Sequence, residues 1–494
     1  MKETLLHAQC GLNTAAAGQR NIHSRYNPLI EAERYIDSLN LHGGIEYIIL
    51  AECGLCYVIE PLRKKFPNAK IISLHLSTFY AGKNVYTPDA EWLPDSPINK
   101  NTFLENEIDD VEADKIKIIE WRPAAGIYGV EYLNLIKDIS AFVKRIDANK
   151  RTRTAFGRRW FKNIIKNCFL FNGSCVITRI TRNSAGGCVV AGAGPGLEDA
   201  YAAIRHLTKH GSLLIAVSSA VSALFQAGLR PDIIVACDGG NWALMHLFES
   251  VRYFYLQKHS QKTPCPVLAY NLSAAVPSQF SSFNLLPLSD ESLLQNIALK
   301  CFDIPQISFP QRGTVGVSAL DLALYMSSGA VYTAGINFSH KDIRTHAKPY
   351  AFDRILSLSA DRFIPLYTLQ FERAEMITKS GVNGVYADWL SRQDYKREIY
   401  AITDNNYAFN NEMRNTKADI FEYIKKNPVL HPVERFITTI LAALENPLTK
   451  DKLTVELSNL LLNNVSNVSN KYDTVREELL RVSEKYRIIE RRYG

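Results

Sequence analysis

CVVAGAGPGLEDAYAAIRHL, residues 188–207, is the stretch on which the fold turns. A short apolar run meets a turn holding three glycines and a proline, then breaks into helical periodicity. A strand that ends in such a turn brings backbone N–H groups close to whatever occupies the space beyond it. The same rhythm recurs on both sides. Strands are expected at 188–191, 213–217, 233–237, 266–270 and 330–334, with helices at 197–209 and 315–327 between them. Strand–helix alternation of this kind predicts an α/β fold with a doubly wound sheet. In such sheets ligands sit beyond the carboxyl ends of the strands, so the residues after each strand are the ones to inspect.

Upstream, EYIILAECGLCYVIEPLRKKFPNAKIISLHLSTFY gives a further strand, helix and strand within 44–80, which is a parallel βαβ unit. Downstream, from about 406, the pattern becomes helical, with VERFITTILAALEN and the charged tail YDTVREELLRVSEKYRIIERRY. The tail sets Val475, Leu479, Leu480, Val482 and Tyr486 near one stripe, as a packing or partner-binding helix does. The domain organisation read from these shifts is an N-terminal Rossmann-like α/β domain over 1–150 and a basic linker over 151–167. A Rossmann-like central catalytic domain follows over 168–405, then a helical domain over 406–494.

Composition narrows the classes. A chain of 494 residues with 47% hydrophobic and 22% charged residues folds as a globular protein of two or three domains. No run approaches the ~18–20 uninterrupted apolar residues of a membrane span. The opening MKETLLHAQCGLN has no secretory apolar core. Nine cysteines, an odd and scattered set, fit reduced thiols, so the expected setting is cytoplasmic. Cys53 and Cys56 have C-x-x-C spacing, which serves redox or metal sites, but without a second pair they read as packing thiols. The net charge of +7 is partly local, with nine Lys or Arg in 144–166. A patch for an acidic partner and a solvated linker both fit it. No nucleic-acid-binding signature accompanies it.

Candidate site residues follow the strands. After the strand at 188–191 come Gly192, Gly194, Pro195 and Gly196. The turn is not the dinucleotide fingerprint G-x-G-x-x-G, because Leu197 takes the last glycine position. The next strand ends in Ser218 and Ser219 rather than in a ribose-binding acid, which argues for phosphate but against NAD. After 233–237 comes Asp238, suited to a ribose or a nucleophile; one acid alone makes no metal site. Arg312 and Gly313 precede another helix. After 330–334 comes Asn337 with His340, Asp342, Arg344, His346, Lys348 and Tyr350, a density of polar groups beyond what a connection needs. A histidine there suits a proton acceptor, and Arg312, Lys348 or Tyr350 suit a departing phosphate.

AGAGPGLEDA, its spacing to GLRPDIIVACD, the helix after RGTVGVSA and the run GINFSH…THA resemble the central domain of the motility-associated factor (Maf) flagellin glycosyltransferases. HSRYNPLIEAERYI (His23–Ile36) is similar to their N-terminal segment, so the resemblance runs from near residue 20 to about 400. The chain departs from the pattern at Gly196, where a serine commonly follows the proline. The resemblance implies transfer of a pseudaminic- or legionaminic-type nonulosonic sugar from a CMP-activated donor to Ser or Thr of flagellin. It also implies a central domain like that of metal-independent sialyltransferases. No resident cofactor is expected, and magnesium stays open. By position, Gly192, Gly194 and Pro195 would line the nucleotide, Ser218, Ser219 and Asp238 would complete that side, and His346 would lie by the acceptor. His346 is the expected base, with Asp238 the alternative. The same turn and Asp238 also resemble a hydroxymethylpterin pyrophosphokinase-like domain that uses ATP and magnesium. A non-catalytic flagellin-binding assembly factor is the third reading.

Overall fold

The computed structural model describes residues 3–108, 113–171, 174–180, 187–258, 266–309, 313–336, 341, 343–380, 399–402, 421–425, 431–462 and 471–493. The chain divides into two units, Met1–Arg153 and Thr154–Gly494.

The first unit opens with an antiparallel meander, β1 (Glu3–His7), β2 (Asn13–Ala17) and β3 (Arg20–Asn21). Its alanine-rich middle strand carries little sequence signal. Helix Pro28–Ser38 starts where the Asn27 side chain accepts from the Leu29 and Ile30 N–H groups, with Pro28 first in the helix. The βαβ unit expected within 44–80 is present as β4 (Tyr47–Ala51), helix Ile59–Lys65 and β5 (Lys70–Leu74). With β6 (Ala90–Trp92) and β7 (Ile116–Glu120) they form a parallel sheet of order β6-β5-β4-β7. The central strand YIILA is buried along its whole length, as a strand covered on both faces must be.

Helix Val130–Phe171 contains the boundary between the units. The basic stretch 151–167 therefore lies inside a helix. Phe161, Ile164 and Ile165, spaced along one face, are buried in the second unit's core, and Arg158 Nε donates to the Leu461 carbonyl. Counting only the charges of this stretch hid its apolar stripe.

The second unit is built on one nine-stranded sheet. Its strands are β8 (Cys175–Ile180), β9 (Cys188–Ala191), β10 (Leu213–Val217), β11 (Ile233–Ala236), β12 (Val267–Asn271), β13 (Asn284–Leu288), β14 (Val331–Ala334), β15 (Ile399–Ala401) and β16 (Phe421–Lys425). The order is β15-β14-β9-β10-β11-β12-β13-β8-β16, all parallel except β16 on the edge. The α/β class is found, and the five expected strands are present, each within one residue of its expected bounds. β16 is a strand in a region read as helical, and β13 was missed because Pro287 sits within it.

From β9 the chain steps one way through β10 to β13; β14 then returns on the other side of β9. The turns after β9 and β14 consequently lie side by side at the carboxyl edge, which is the switch point of the sheet. Helices Pro432–Glu445, Lys450–Leu461 and Lys471–Tyr493 contribute Phe436, Leu453, Leu457, Val475 and Leu479 to the same core. Of the tail stripe, Val482 and Tyr486 pack against that core, whereas Leu480 is 44% exposed and faces away.

Candidate functional site

Two glycines join the turns at the switch point. A Cβ on Gly192 would lie 2.4 Å from the Gly335 carbonyl oxygen, and one on Gly335 would lie 2.6 Å from that of Gly192. Gly335 also has φ +65°, a left-handed conformation. The Gly192 N–H donates to the Ala334 carbonyl at 2.7 Å and the Gly194 N–H to that of Gly335 at 2.9 Å. These two N–H groups were expected to face a phosphate. They instead stitch the β9 and β14 turns together, and the glycines are required by backbone meeting backbone. Pro195 and Gly196 follow at the start of a 3₁₀ turn, Pro195–Ala200, and the α-helix begins at Tyr201 rather than near 197.

Glu198 draws the post-β14 loop over this turn. Its carboxylate accepts from Arg344 Nη1 and from the Lys348 backbone N–H, both at 2.8 Å, while the Ala347 N–H donates to the Ala193 carbonyl at 2.9 Å. The loop is thus held at both sides, and His346, between these anchors, is carried to the carboxyl edge of the sheet.

The loop aromatics form a half-buried box. His346 stacks on Tyr350 with ring centres 4.0 Å apart; His246 lies 5.2 Å and Phe352 5.2 Å from the same Tyr350 ring. Trp242, largely exposed, meets Phe352 edge-on at 5.9 Å. Arg373, from helix Leu366–Ser380, lies 5.1 Å over the Tyr350 ring and donates from Nη2 to its hydroxyl oxygen at 3.3 Å. Thr345 Oγ1 is 2.9 Å from His346 Nδ1. Arg344, Thr345, His346, Lys348, Tyr350 and Arg373 line a common cleft.

Both imidazoles are uncharged at neutral pH. Burial lowers His346 to about 3, reinforced by Arg373, His246 and Lys348. Burial lowers His246 to about 4, with Asp238 opposing and Arg373 reinforcing. Burial also pushes the Tyr350 phenol up. Lys348, expected to steady a phosphate, is ion-paired with Asp353, and Arg344 with Glu198. Among the described residues no carboxylate lies within ion-pair distance of Arg373.

Asp238 follows β11 as expected and is exposed. Its Oδ1 accepts from the Gly240 N–H at 2.7 Å. Gly239 is obligatory, because a Cβ there would lie 2.4 Å from the Trp160 ring. Asn163 Nδ2 donates to the Gly239 and Ser273 carbonyls at 3.1 and 2.9 Å, which fixes the turn that presents Asp238. Ser218 and Ser219 stand in a 3₁₀ turn directly after β10. Gly313 is exposed at φ +73°, ahead of helix Val315–Met326, whose N-terminus is capped by Thr314. Arg312, Asn337, His340 and Asp342 lie outside the described residues.

The sequence reading missed His246 and Arg373. His246 sits in helix Ala243–Lys258, right after the CDGGNW turn, where a lone histidine among apolar residues looks like packing. Arg373 lies on a helix whose charges resemble a solvated face, and no motif singles it out. Cys53 and Cys56, read as packing thiols, are buried and free, and no helix among the described residues is long and apolar enough to cross a membrane.

Residues 161–342 match the family model described as 6-hydroxymethylpterin diphosphokinase MptE-like. The chain is 26% identical over 254 residues to a protein of Treponema pallidum (strain Nichols) described as uncharacterized; the match covers 51% of this chain and about half, 52%, of that relative. A solved structure titled as a MAf glycosyltransferase from Magnetospirillum magneticum AMB-1 aligns over 97% of this chain and 85% of its own, with 12% identity and a TM-score of 0.49.

Proposed function

We propose that the chain is a glycosyltransferase that moves a nonulosonic sugar from a CMP-activated donor to Ser or Thr hydroxyls of flagellin in the cytoplasm. The observation that carries this reading is the convergence at the switch point of an exposed carboxylate (Asp238), two uncharged imidazoles (His246 and His346) and a guanidinium (Arg373) with no carboxylate partner among the described residues. The order and spacing of the Maf-like motifs support it.

In this reaction the acceptor oxygen bonds to the anomeric carbon as the bond from that carbon to the phosphate oxygen breaks. CMP departs with the electron pair, and the hydroxyl proton passes to a base. His346 is the assigned base, with Asp238 the alternative. A neutral imidazole is in the right form to accept, but one held near 3 is a weak base. A bound donor carrying phosphate and carboxylate charges beside it counters the pull of Arg373 and Lys348 and raises its affinity for the proton. The positive edge formed by Arg373 stabilises charge on the departing phosphate or on the sugar.

The test is transfer from a CMP-nonulosonate to purified flagellin, followed by mass shift. His346→Ala is expected to lose turnover and keep CMP affinity. Unchanged transfer by that variant removes His346 from the mechanism and leaves Asp238. The family match favours a second reading, ATP- and magnesium-dependent diphosphoryl transfer to a hydroxymethylpterin. AMP release that depends on magnesium and a pterin, without sugar transfer, establishes it instead.

A further inference from the structure

We infer that Arg373 is the receptor for the sugar carboxylate of the donor and sets the specificity of the site for acidic sugars. This rests on the glycosyltransferase reading above and adds to it which group selects the sugar.

Three cations border the cleft, Arg344, Lys348 and Arg373. Arg344 is neutralised by Glu198 and Lys348 by Asp353. Among the described residues Arg373 has instead one hydrogen bond, to the Tyr350 hydroxyl oxygen, and contacts with two rings, Tyr350 at 5.1 Å and Phe352 at 5.5 Å. Ring contacts hold a guanidinium in place without using up its five N–H donors, of which the Tyr350 hydroxyl takes one. A fixed planar fork without a carboxylate of its own is suited to bidentate pairing with a planar carboxylate.

Position agrees with this. Tyr350, on which Arg373 rests, also stacks on His346. The guanidinium and the assigned base thus contact the same ring, and the guanidinium is close enough to lower both His346 and His246. In a nonulosonic donor the carboxylate is attached to the anomeric carbon itself, the carbon that must face the base. An anion receptor adjoining the base is where the geometry of that donor needs one. A neutral hexose donor has no group to give Arg373, and its binding would leave a partly buried cation uncompensated.

Calorimetric titration separates the groups involved. CMP and CMP-N-acetylneuraminate, the latter as a carboxylate-bearing donor, are titrated into the full chain and into Arg373→Gln and Arg373→Lys. Melting curves confirm that each variant is folded. The wild-type chain is expected to bind the donor more tightly than CMP. Arg373→Gln is expected to weaken donor binding at least tenfold and change CMP affinity less than twofold, with Arg373→Lys in between. Should Arg373→Gln fail to fold, Arg373→Lys still tests the fork, since it keeps the charge and loses the bidentate edge. Equal weakening of both ligands overturns the inference by assigning Arg373 to the phosphate, and unchanged donor affinity overturns it outright. A wild-type chain that binds neither ligand removes the glycosyltransferase reading and this inference together, whereas CMP binding with the wrong variant response removes only the inference.

Discussion

Each unit of this chain ends a buried parallel strand beside a histidine, and the two histidines are in opposite states. In the first unit His75, with no exposed surface, lies between two carboxylates, Nδ1 3.3 Å from Glu52 and Nε2 3.1 Å from Glu91. Burial pulls its pKa down, but hydrogen bonds with Cys56, Glu52 and Glu91 prevail and hold it well above 6.5. In the second unit His346 has no carboxylate partner among the described residues and borders a cleft, and burial leaves it neutral. One arrangement pairs a fully buried histidine with a carboxylate at each ring nitrogen. The other keeps its histidines uncharged and, among the described residues, leaves a cation without a carboxylate beside an opening. Buried networks of the first kind fix a fold, and incomplete ones of the second kind are what ligands complete.

The sharpest way to break the contrast is His75→Ala. It leaves Glu52 buried without its counter-charge, so unfolding in urea is expected to show a loss of about 3–5 kcal/mol. CMP affinity, measured well below the melting range, should stay within twofold. A large loss of affinity with stability intact would make the first unit's network a site after all. The pH dependence follows the same logic. A raised folded-state pKa contributes stability that is fully present below about 6.5 and is lost as pH rises through the folded value. Wild type should therefore lose stability on the alkaline side, and His75→Ala should show a flatter profile.

Gly335→Ala acts on the other half of the comparison. Its new methyl would lie 2.6 Å from the Gly192 carbonyl oxygen and 2.9 Å from Leu197 Cβ, at a left-handed φ. Overpacking of this kind costs about 1–3 kcal/mol, and the backbone conformation adds about 1–2 kcal/mol. The β9 and β14 turns should part, and CMP binding should fall with stability. Full affinity in a folded Gly335→Ala protein would mean that the joined turns do not shape the site.

The sheet was legible because its strands are unbroken apolar runs ended by turn residues, glycines among them, as at Val189–Ala191 before Gly192 and Ile233–Cys237 before Asp238, Gly239 and Gly240. The role of those glycines was not legible. Gly192 needs its lack of a side chain for Gly335, far along the chain, and only the strand order brings the two together. His346 and Tyr350 were found because they follow a strand in a dense polar loop. Arg373 and His246 were missed because each reaches the site from the face of a helix, where one polar residue among many has no distinguishing spacing. Lys348 was read as free to meet a phosphate, and only the fold shows Asp353 beside it.

Glu198→Ala has a smaller expected effect. The carboxylate is about one quarter exposed, so loss of its bonds to Arg344 and to the Lys348 N–H should cost of order 1 kcal/mol in stability once solvent screening is allowed for. The larger change should be in affinity. With Arg344 freed and the loop loosened, donor binding is expected to weaken about tenfold, since 1.4 kcal/mol of lost pre-organisation corresponds to that factor. Unaltered affinity would mean that the loop is held over the turn without Glu198.

The smallest effect is also the most direct measure of the contrast. In the ligand-free chain, histidine ring resonances followed by NMR should show no titration of His346 or His246 between pH 5 and 8, because burial holds them at about 3 and about 4. Arg373→Gln should move both upward, since the guanidinium lowers each. The sign for stability is opposite to that of His75. A lowered histidine leaves the native state binding fewer protons than the unfolded chain, so stability is retained above about 6.5 and declines as pH falls toward the folded values. Adding a carboxylate-bearing donor such as CMP-N-acetylneuraminate should raise His346 toward neutrality, as the carboxylate answers the positive field of Arg373. A His346 that already titrates near 6.5 without ligand would erase the difference between the two units, because its charge would then be balanced without anything bound.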